Sequence, residues 1–412
     1  MSLDAATASA LHSFITANQE AMRAMLAELV KVPSDNPPGD CAPHAKRAAE
    51  LLEGLGLSVE RHAVPADLVG QNGMISCTNL IVRQKFSEGG PVVALNAHGD
   101  VVAPGAGWSV DPYAAVVKDG VMYGRGVAVS KSDFVTYAFA LLALKASGTK
   151  LKGTVELHLT YDEEAGGAIG PQWILEQGLS KPDYAFSAGF SYAVTTAHNG
   201  CLHLEVTVSG LSAHAARPDT GHDALEAANR VLTALYAYRN GLGALKSKVA
   251  GIVSPSMVVG LIKGGINTNV VPDKVSFRLD RRMIPEENPA EVEATLREVI
   301  ATAASGLKGI TVETKRIMLA KPFGAVPGVE TLIEILCRQA TQIMGKPVET
   351  EGIPLYTDAR HYSAAGIKTV LYGAGPRNLL EANGHRADEK LVLTDLYKAT
   401  EVVARTLAEL MS

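Results

Sequence analysis

The sequence predicts an α/β domain interrupted by a smaller, inserted βαββαβ domain. Three observations carry that reading. Val155-Glu156-Leu157-His158-Leu159-Thr160-Tyr161 alternates at period two, as a strand does, and runs into Asp162-Glu163-Glu164-Ala165-Gly166-Gly167. His98 and Asp100 stand just past a second buried strand, Val92-Val93-Ala94-Leu95-Asn96. Between His203 and Arg316 the pattern reads strand, helix, strand, strand, helix, strand, and α/β alternation resumes afterwards. Three consecutive carboxylates repel one another unless a cation or a raised pKa relieves them, with a solvated acidic turn as the alternative. Their place beyond a strand's carboxyl end is where open α/β sheets carry their sites.

Composition narrows the classes. At 412 residues two domains are expected, and 47% apolar with 20% charged residues is an ordinary globular balance. A net charge of −5 gives no reason to expect nucleic acid or a membrane surface as partner. Cys41, Cys77, Cys201 and Cys337 show no Cys-x-x-Cys spacing, so neither a disulfide framework nor a zinc knuckle is indicated. No basic region followed by an apolar core opens the chain, and no run has the length of a membrane span. A reducing, cytoplasmic setting is expected.

In order, the periodicity predicts a helix over about Thr7 to Val32, stopped by Ser34-Asp35-Asn36-Pro37-Pro38-Gly39. A second helix, about His44 to Leu55, leads to a strand near Leu57 to His62 and another at Thr78 to Val82. After the His98 strand come Gly124-Arg125-Gly126 and an apolar helix from about Lys131 to Ala146. The inserted domain has strands near His203–Val208, Ser256–Ile262, Lys274–Arg282 and Ile310–Lys315, and helices near His222–Tyr238 and Pro289–Ala304. A helix from Gly328 to Met344, a strand at Thr369 to Tyr372 and a helix from Thr394 to Met411 complete the chain. This places the α/β domain at 1–200 and 317–412 and the insertion at 201–316.

His98-Gly99-Asp100, Gly124-Arg125-Gly126, Asp162 to Gly167, Ser212-Ala213-His214, Asn269-Val270-Val271-Pro272, Thr357-Asp358-Ala359-Arg360 and His385 with Asp388-Glu389 follow one another in a fixed order. Together they resemble the superfamily of acetylornithine deacetylase, succinyl-diaminopimelate desuccinylase, aminoacylase and glutamate carboxypeptidase. The resemblance implies a zinc-exopeptidase-like catalytic domain and a ferredoxin-like lid that forms a homodimer. It implies His98, Glu164 and His385 as metal ligands, Glu163 as general base, and Asp100 holding the His98 ring. His214 would stabilise an oxyanion across the dimer, and Asn269 with Arg282 would grip a substrate carboxylate, Arg281 being a close competitor, or else form a surface pair beside Asp280. Arg360 would face the same pocket, or else pair with Asp358.

Two departures bear on the metal. The family's bridging aspartate falls on Val129, whose isopropyl group cannot bind zinc, and the acidic residue expected near Ala188-Gly189 is absent. Asp133 lies one helical turn beyond Val129, about 6 Å along the axis, which is too far to bridge. Ser130, Ser132, Ser187 and Ser191 offer hydroxyls for a neutral pocket, or serve as loop and cap serines. His158 reads as a satisfied core histidine. In the family's arrangement His98 is left alone at one metal position while Glu164 and His385 share the other, so the expectation is one zinc at most per chain, bound through Glu164 and His385, with cobalt, manganese or no metal as alternatives. Three functions follow: a hydrolase of an amide or related C–N bond in a small acidic molecule, a binding or regulatory protein that kept the cleft, or an enzyme of metal-free chemistry.

Overall fold

The computed structural model describes residues 3–378 and 380–412. The chain divides into two compact units: residues 1–196, 325–351 and 357–412 form one, and 197–324 with 352–356 the other.

The first unit is built on an eight-stranded sheet. In spatial order its strands are Val59–Ala63, Thr78–Ser87, Gly153–Thr160, Val92–His98, Tyr184–Ser187, Lys368–Leu371, Val194–His198 and Thr350–Ile353. The middle four run parallel, and their β-branched and apolar residues are buried. Their carboxyl ends therefore lie at one edge of the sheet, which is where His98, Glu163, Gly189 and Gly373 follow. The helix Lys131–Ser147 is buried almost all round, from Phe134 to Leu144, and packs against the helices Ala5–Ala17 and Leu393–Leu410.

The single helix expected from Thr7 to Val32 is two, Ala5–Ala17 and Gln19–Val30. Asn18 closes the first: its N–H donates to Ile15 O (3.1 Å) and its Nδ2 to Phe14 O (2.7 Å). A short polar side chain competing for helix carbonyls breaks a periodicity that the apolar pattern carries straight through. A three-stranded sheet, Val116–Lys118, Val121–Tyr123 and Lys390–Val392, was also not anticipated. Three-residue strands are too short to show a period, and this one joins segments far apart in the chain.

The second unit has four antiparallel strands in the order Ser256–Gly264, Lys274–Met283, Gly200–Ser209, Thr311–Ala320. The helices Ala224–Gly241 and Pro289–Ala304 cover one face. Leu202, Leu204, Val206 and Val208 alternate into the core with Val275, Phe277 and Leu279. The other face carries Cys201, His203, Glu205 and, from the neighbouring strand, Asp280 and Arg282.

Candidate metal centre and active site

Asp100 organises the site. It is sealed from solvent, and its Oδ2 accepts from Asn36 Nδ2 (3.0 Å) and the Glu164 N–H (3.1 Å). Its Oδ1 accepts from the Glu163 N–H (3.3 Å) and lies 3.4 Å from His98 Nδ1. One carboxylate thus holds the short 3₁₀ turn Glu163–Ala165 against the histidine at the end of the neighbouring strand. His98 Nδ1 is also 3.0 Å from Asp100 O, and a proton on that nitrogen leaves Nε2 as the electron-pair donor. Ser130 fixes the same strand end, accepting the His98 N–H (3.2 Å) and donating to His98 O (3.1 Å).

The result is convergence. Donor atoms of His98, Glu163 and Glu164 lie within 4.8 Å of one another. His385, with a left-handed φ of 61°, brings Nε2 to 3.3 Å from Glu164 Oε1. A left-handed backbone at a residue other than glycine is uncommon, and here it carries a side chain of the cluster. Burial works against charge on His98, but the Asp100 hydrogen bond and the Glu163, Asp100 and Glu164 charges outweigh it and raise its pKa well above the ordinary value. Glu163 is raised chiefly by burial, with Glu164 and Asp100 adding to the effect. Asp162 is likewise raised by burial and by Asp358. The repulsion foreseen along the acidic run is thus relieved partly by retained protons and partly by imidazole.

A second region shows what the departures from the family pattern become. Val129 contributes its N–H to Glu389 Oε1 (3.2 Å), as Ala128 does (3.0 Å), and Glu389 Oε2 pairs with buried Arg125 NH1 at 2.6 Å. Asp133 does not join the His98 cluster. Its Oδ1 accepts the Ala374 N–H (2.6 Å), a Gly189 N–H also reaches it, and burial pushes its carboxyl up to about 7. Gly189 and Ala374 follow the ends of adjoining strands, so Asp133 occupies the space between those two turns. A Cβ on Gly373 would sit 2.2 Å from Asp133 Oδ1, and one on Gly189 would meet Leu371 and Tyr372 backbone at 2.8 Å.

The serines fill structural posts. Besides Ser130, Ser187 donates to Asn96 Oδ1 (3.1 Å) and Ser191 to Gly375 O (2.9 Å), while Ser132 is buried in the central helix. The hydrogen bonds of Ser130, Ser187 and Ser191 fit the loop-serine reading rather than hydroxyls lining a neutral pocket. Arg360 is buried and donates to Thr357 O (2.9 Å) and to Gly166 O, tying down the loop after Glu164. His158 is a core residue, held by Tyr362 Oη (2.8 Å) and Glu156 Oε2 (3.0 Å).

On the second unit, two of the expected residues meet. Ala215 N–H donates to Asn269 O (3.0 Å) and His214 forms a bridge with Val270, so His214 and Asn269 stand on adjoining exposed segments. Arg282 lies on the sheet face away from the helices, bidentate on Asp280 through Nε (2.9 Å) and NH2 (3.1 Å), with Tyr356 5.9 Å beneath it. Burial opposes charge on Asp280, yet hydrogen bonds from His203 and Arg282 bring its carboxyl down to about 2. Its competitor Arg281 points into the core, fully buried on Glu287 (2.5 Å) and Tyr238 Oη (3.4 Å). Strand parity was the available signal: Phe277, Leu279, Arg281 and Met283 share one face.

The donor set decides how much metal the first unit can take. Donor atoms of His98 and Glu164 converge with Glu163, and His385 Nε2 meets Glu164 Oε1, a mixed imidazole and carboxylate set of the kind zinc-class ions take, whereas the side chains at Val129, Ala188 and Gly189 add no donor. An α/β sheet with such a cluster beyond its parallel strand ends defines a metal-dependent amidohydrolase or peptidase-like hydrolase. Residues 94–409 match the peptidase family M20/M25/M40, and the chain belongs to that family. Its chemistry is the metal-dependent hydrolysis of amide and related C–N bonds.

Similar proteins extend over most of the chain. A succinyl-diaminopimelate desuccinylase of Acidiphilium cryptum is 28% identical over 87% of this chain and 91% of its own. An acetylornithine deacetylase of Myxococcus xanthus is 27% identical over 94% and 97%. Among solved structures, the di-peptidase Dug1p of Saccharomyces cerevisiae superposes with a TM-score of 0.77 at 14% identity, covering 99% of both chains. The aminopeptidase PepT of Bacillus cereus gives 0.73 at 23% identity, over 95% of this chain and 99% of its own. These likenesses establish a shared fold.

Proposed function

We propose that the protein hydrolyses the amide bond of a small N-acyl amino acid or a related acidic molecule, with at most one zinc-class ion, bound through Glu164 and His385 with the His98 imidazole beside Glu164. The observation that carries this reading is Asp100, which gathers His98, Glu163 and Glu164 so that their donor atoms converge. A bound ion of this class supplies Lewis acidity and lowers the pKa of water at its open position. Glu163 takes the proton from the attacking water as general base and later delivers it to the leaving amine. Asp100 keeps His98 oriented with Nε2 available, and Arg360 keeps the Glu164 loop in place. Across the proposed dimer His214 stabilises the developing oxyanion, and Asn269 receives the acidic end of the substrate, whereas the Arg282 fork is taken up by Asp280. The acyl-amino-acid class is supported by the relatives named for desuccinylation and deacetylation.

The test pairs turnover with binding. N-acyl amino acids and small dicarboxylic amides are screened on parent protein and Glu163→Gln, with one equivalent of zinc, cobalt or manganese. Glu163→Gln should lose about 100- to 10,000-fold in kcat while ligand-induced thermal stabilisation persists. A ligand that stabilises the parent without any turnover would favour instead a binding protein, the reading to which the donorless Val129 and Gly189 lend weight.

We also assign the second unit as a ferredoxin-like lid through which two chains pair. Its edge strand Ser256–Gly264 carries exposed Val258, Leu261 and Ile262, which supports this reading. Sedimentation at micromolar concentration should give a dimer; a monomer there refutes the pairing.

A further inference from the structure

The lid sheet holds a second convergence of donor atoms, remote in sequence from every residue of the first centre. Cys201 and His203 are two apart on the strand Gly200–Ser209, so both project from the face opposite the helices. The antiparallel neighbour sets Asp280 directly across from His203 and Arg282 across from Cys201. Cys201 Sγ lies 3.3 Å from His203 Nε2 and 3.7 Å from Asp280 Oδ2, and Nε2 is 2.9 Å from the same oxygen. Tetrahedral zinc with bonds to sulfur, nitrogen and oxygen has ligand–ligand edges of roughly 3.3–3.5 Å. All three separations fall within about half an ångström of that range.

The pattern differs from a nucleophile–base–acid relay. A relay uses both ring nitrogens, one facing the nucleophile and the other the orienting carboxylate. Here a single nitrogen, His203 Nε2, faces both the sulfur and the oxygen, so the three donor atoms turn toward one point. A cation at that point would take an electron pair from each of the three. The carboxylate is already held for the purpose: Arg282 grips both oxygens of Asp280, as hydrogen-bonding partners of metal ligands do. Thiolate and carboxylate together outweigh that guanidinium by one negative charge, which suits a divalent ion.

We propose that Cys201, His203 and Asp280 form a second metal site, selective for zinc-class ions and with one coordination position open. Sulfur with imidazole selects such ions over magnesium, calcium or manganese. Cys201 is sealed from solvent, while the His203 and Asp280 side chains are 37% and 30% exposed, so the ion enters from their side and its fourth position faces outward. Three protein ligands and an open vertex admit water or a small anionic ligand. The first centre contains no sulfur, and this chemical difference makes the two separable.

Cobalt(II) added to the reduced full-length chain reads the proposal directly. A thiolate bound to cobalt gives a strong near-ultraviolet charge-transfer band that oxygen and nitrogen ligands do not. The parent should develop the band with one equivalent of cobalt bound at this site. Cys201→Ser should lose the band and one equivalent of bound metal, while the cobalt held by the first centre remains. Asp280→Asn, which keeps the thiol, should lower the affinity read from the band by more than about 10-fold. Should Cys201→Ser fail to fold, Asp280→Asn and His203→Gln carry the test alone. A parent without the band, a band that survives Cys201→Ser, or unchanged cobalt affinity in the Asp280 and His203 variants overturns the assignment.

Discussion

Two aspartates on either side of the Gly124–Lys131 segment in sequence, Asp100 and Asp133, are both hidden from solvent, and they have opposite surroundings. Asp100 collects an amide side chain, two backbone N–H groups and an imidazole. Asp133 has backbone N–H groups of Ala374 and Gly189, and burial raises its carboxyl to about 7. The first gathers a reactive centre around a negative charge. The second braces two strand-end turns, one of them at Gly189, near which the resemblance would place an acidic ligand. Burial alone therefore does not identify a functional carboxylate; the identity and charge of its partners do.

The largest effect that could break this contrast lies at Glu389, which holds the Ala128 and Val129 amides and the Arg125 guanidinium. Glu389→Ala leaves Arg125 buried without its counter-charge, and such losses cost about 3–5 kcal/mol. Equilibrium denaturation should show that drop. A loss near zero would mean that the Val129 segment is not braced this way.

Asp133→Asn comes next, and its signature is a pH slope. The fold holds the Asp133 proton up to about 7, against an ordinary value of 3.8. The stability this gives is fully present below the unfolded value and is lost as pH rises through the folded one. Asparagine titrates nowhere in that range, so the variant should gain on the parent between about pH 4 and pH 7, by a few kcal/mol, and the gap should then level off. Melting temperatures across that window decide it, and a parallel pair of curves would show an ionised Asp133 in the fold.

The smallest change sharpens the other side. Asp100→Asn preserves size and one acceptor but removes the charge beside His98. Loss of a carboxylate that orients a metal-bound histidine typically costs 10- to 100-fold in metal affinity, about 1–3 kcal/mol. Zinc titration should register the fall while far-ultraviolet dichroism stays unchanged. The same affinity in both proteins would remove Asp100 from its organising position.

Much of this arrangement was legible along the chain. The alternating strand before Asp162, the His98-Gly99-Asp100 turn and the helix beginning near Lys131 follow from short-range periodicity, which depends on neighbours within a turn or two. The break at Asn18 and the three-residue strands lacked enough residues to set a period. Arg281 and Arg282 could have been told apart by parity, since Phe277 and Leu279 already mark the buried face. The Cys201–His203–Asp280 group left no comparable trace, because its third member arrives through strand register 77 residues away.

By itself the sequence determined the donor inventory. Val129 and Gly189 have no side-chain lone pair to aim at a metal, while His98, Glu163, Glu164 and His385 do. It also determined that His98, Glu163 and Glu164 stand at strand ends, since the apolar runs before them are satisfied inside a sheet. Only the tertiary structure decided which carboxylates keep counter-charges and which keep protons. Asp100 meets Glu163 and Glu164 across more than sixty residues, and Asp133 meets Ala374 across 241. Electrostatic energy depends on distance through space and on excluded water, and neither quantity is written in the order of residues along a chain.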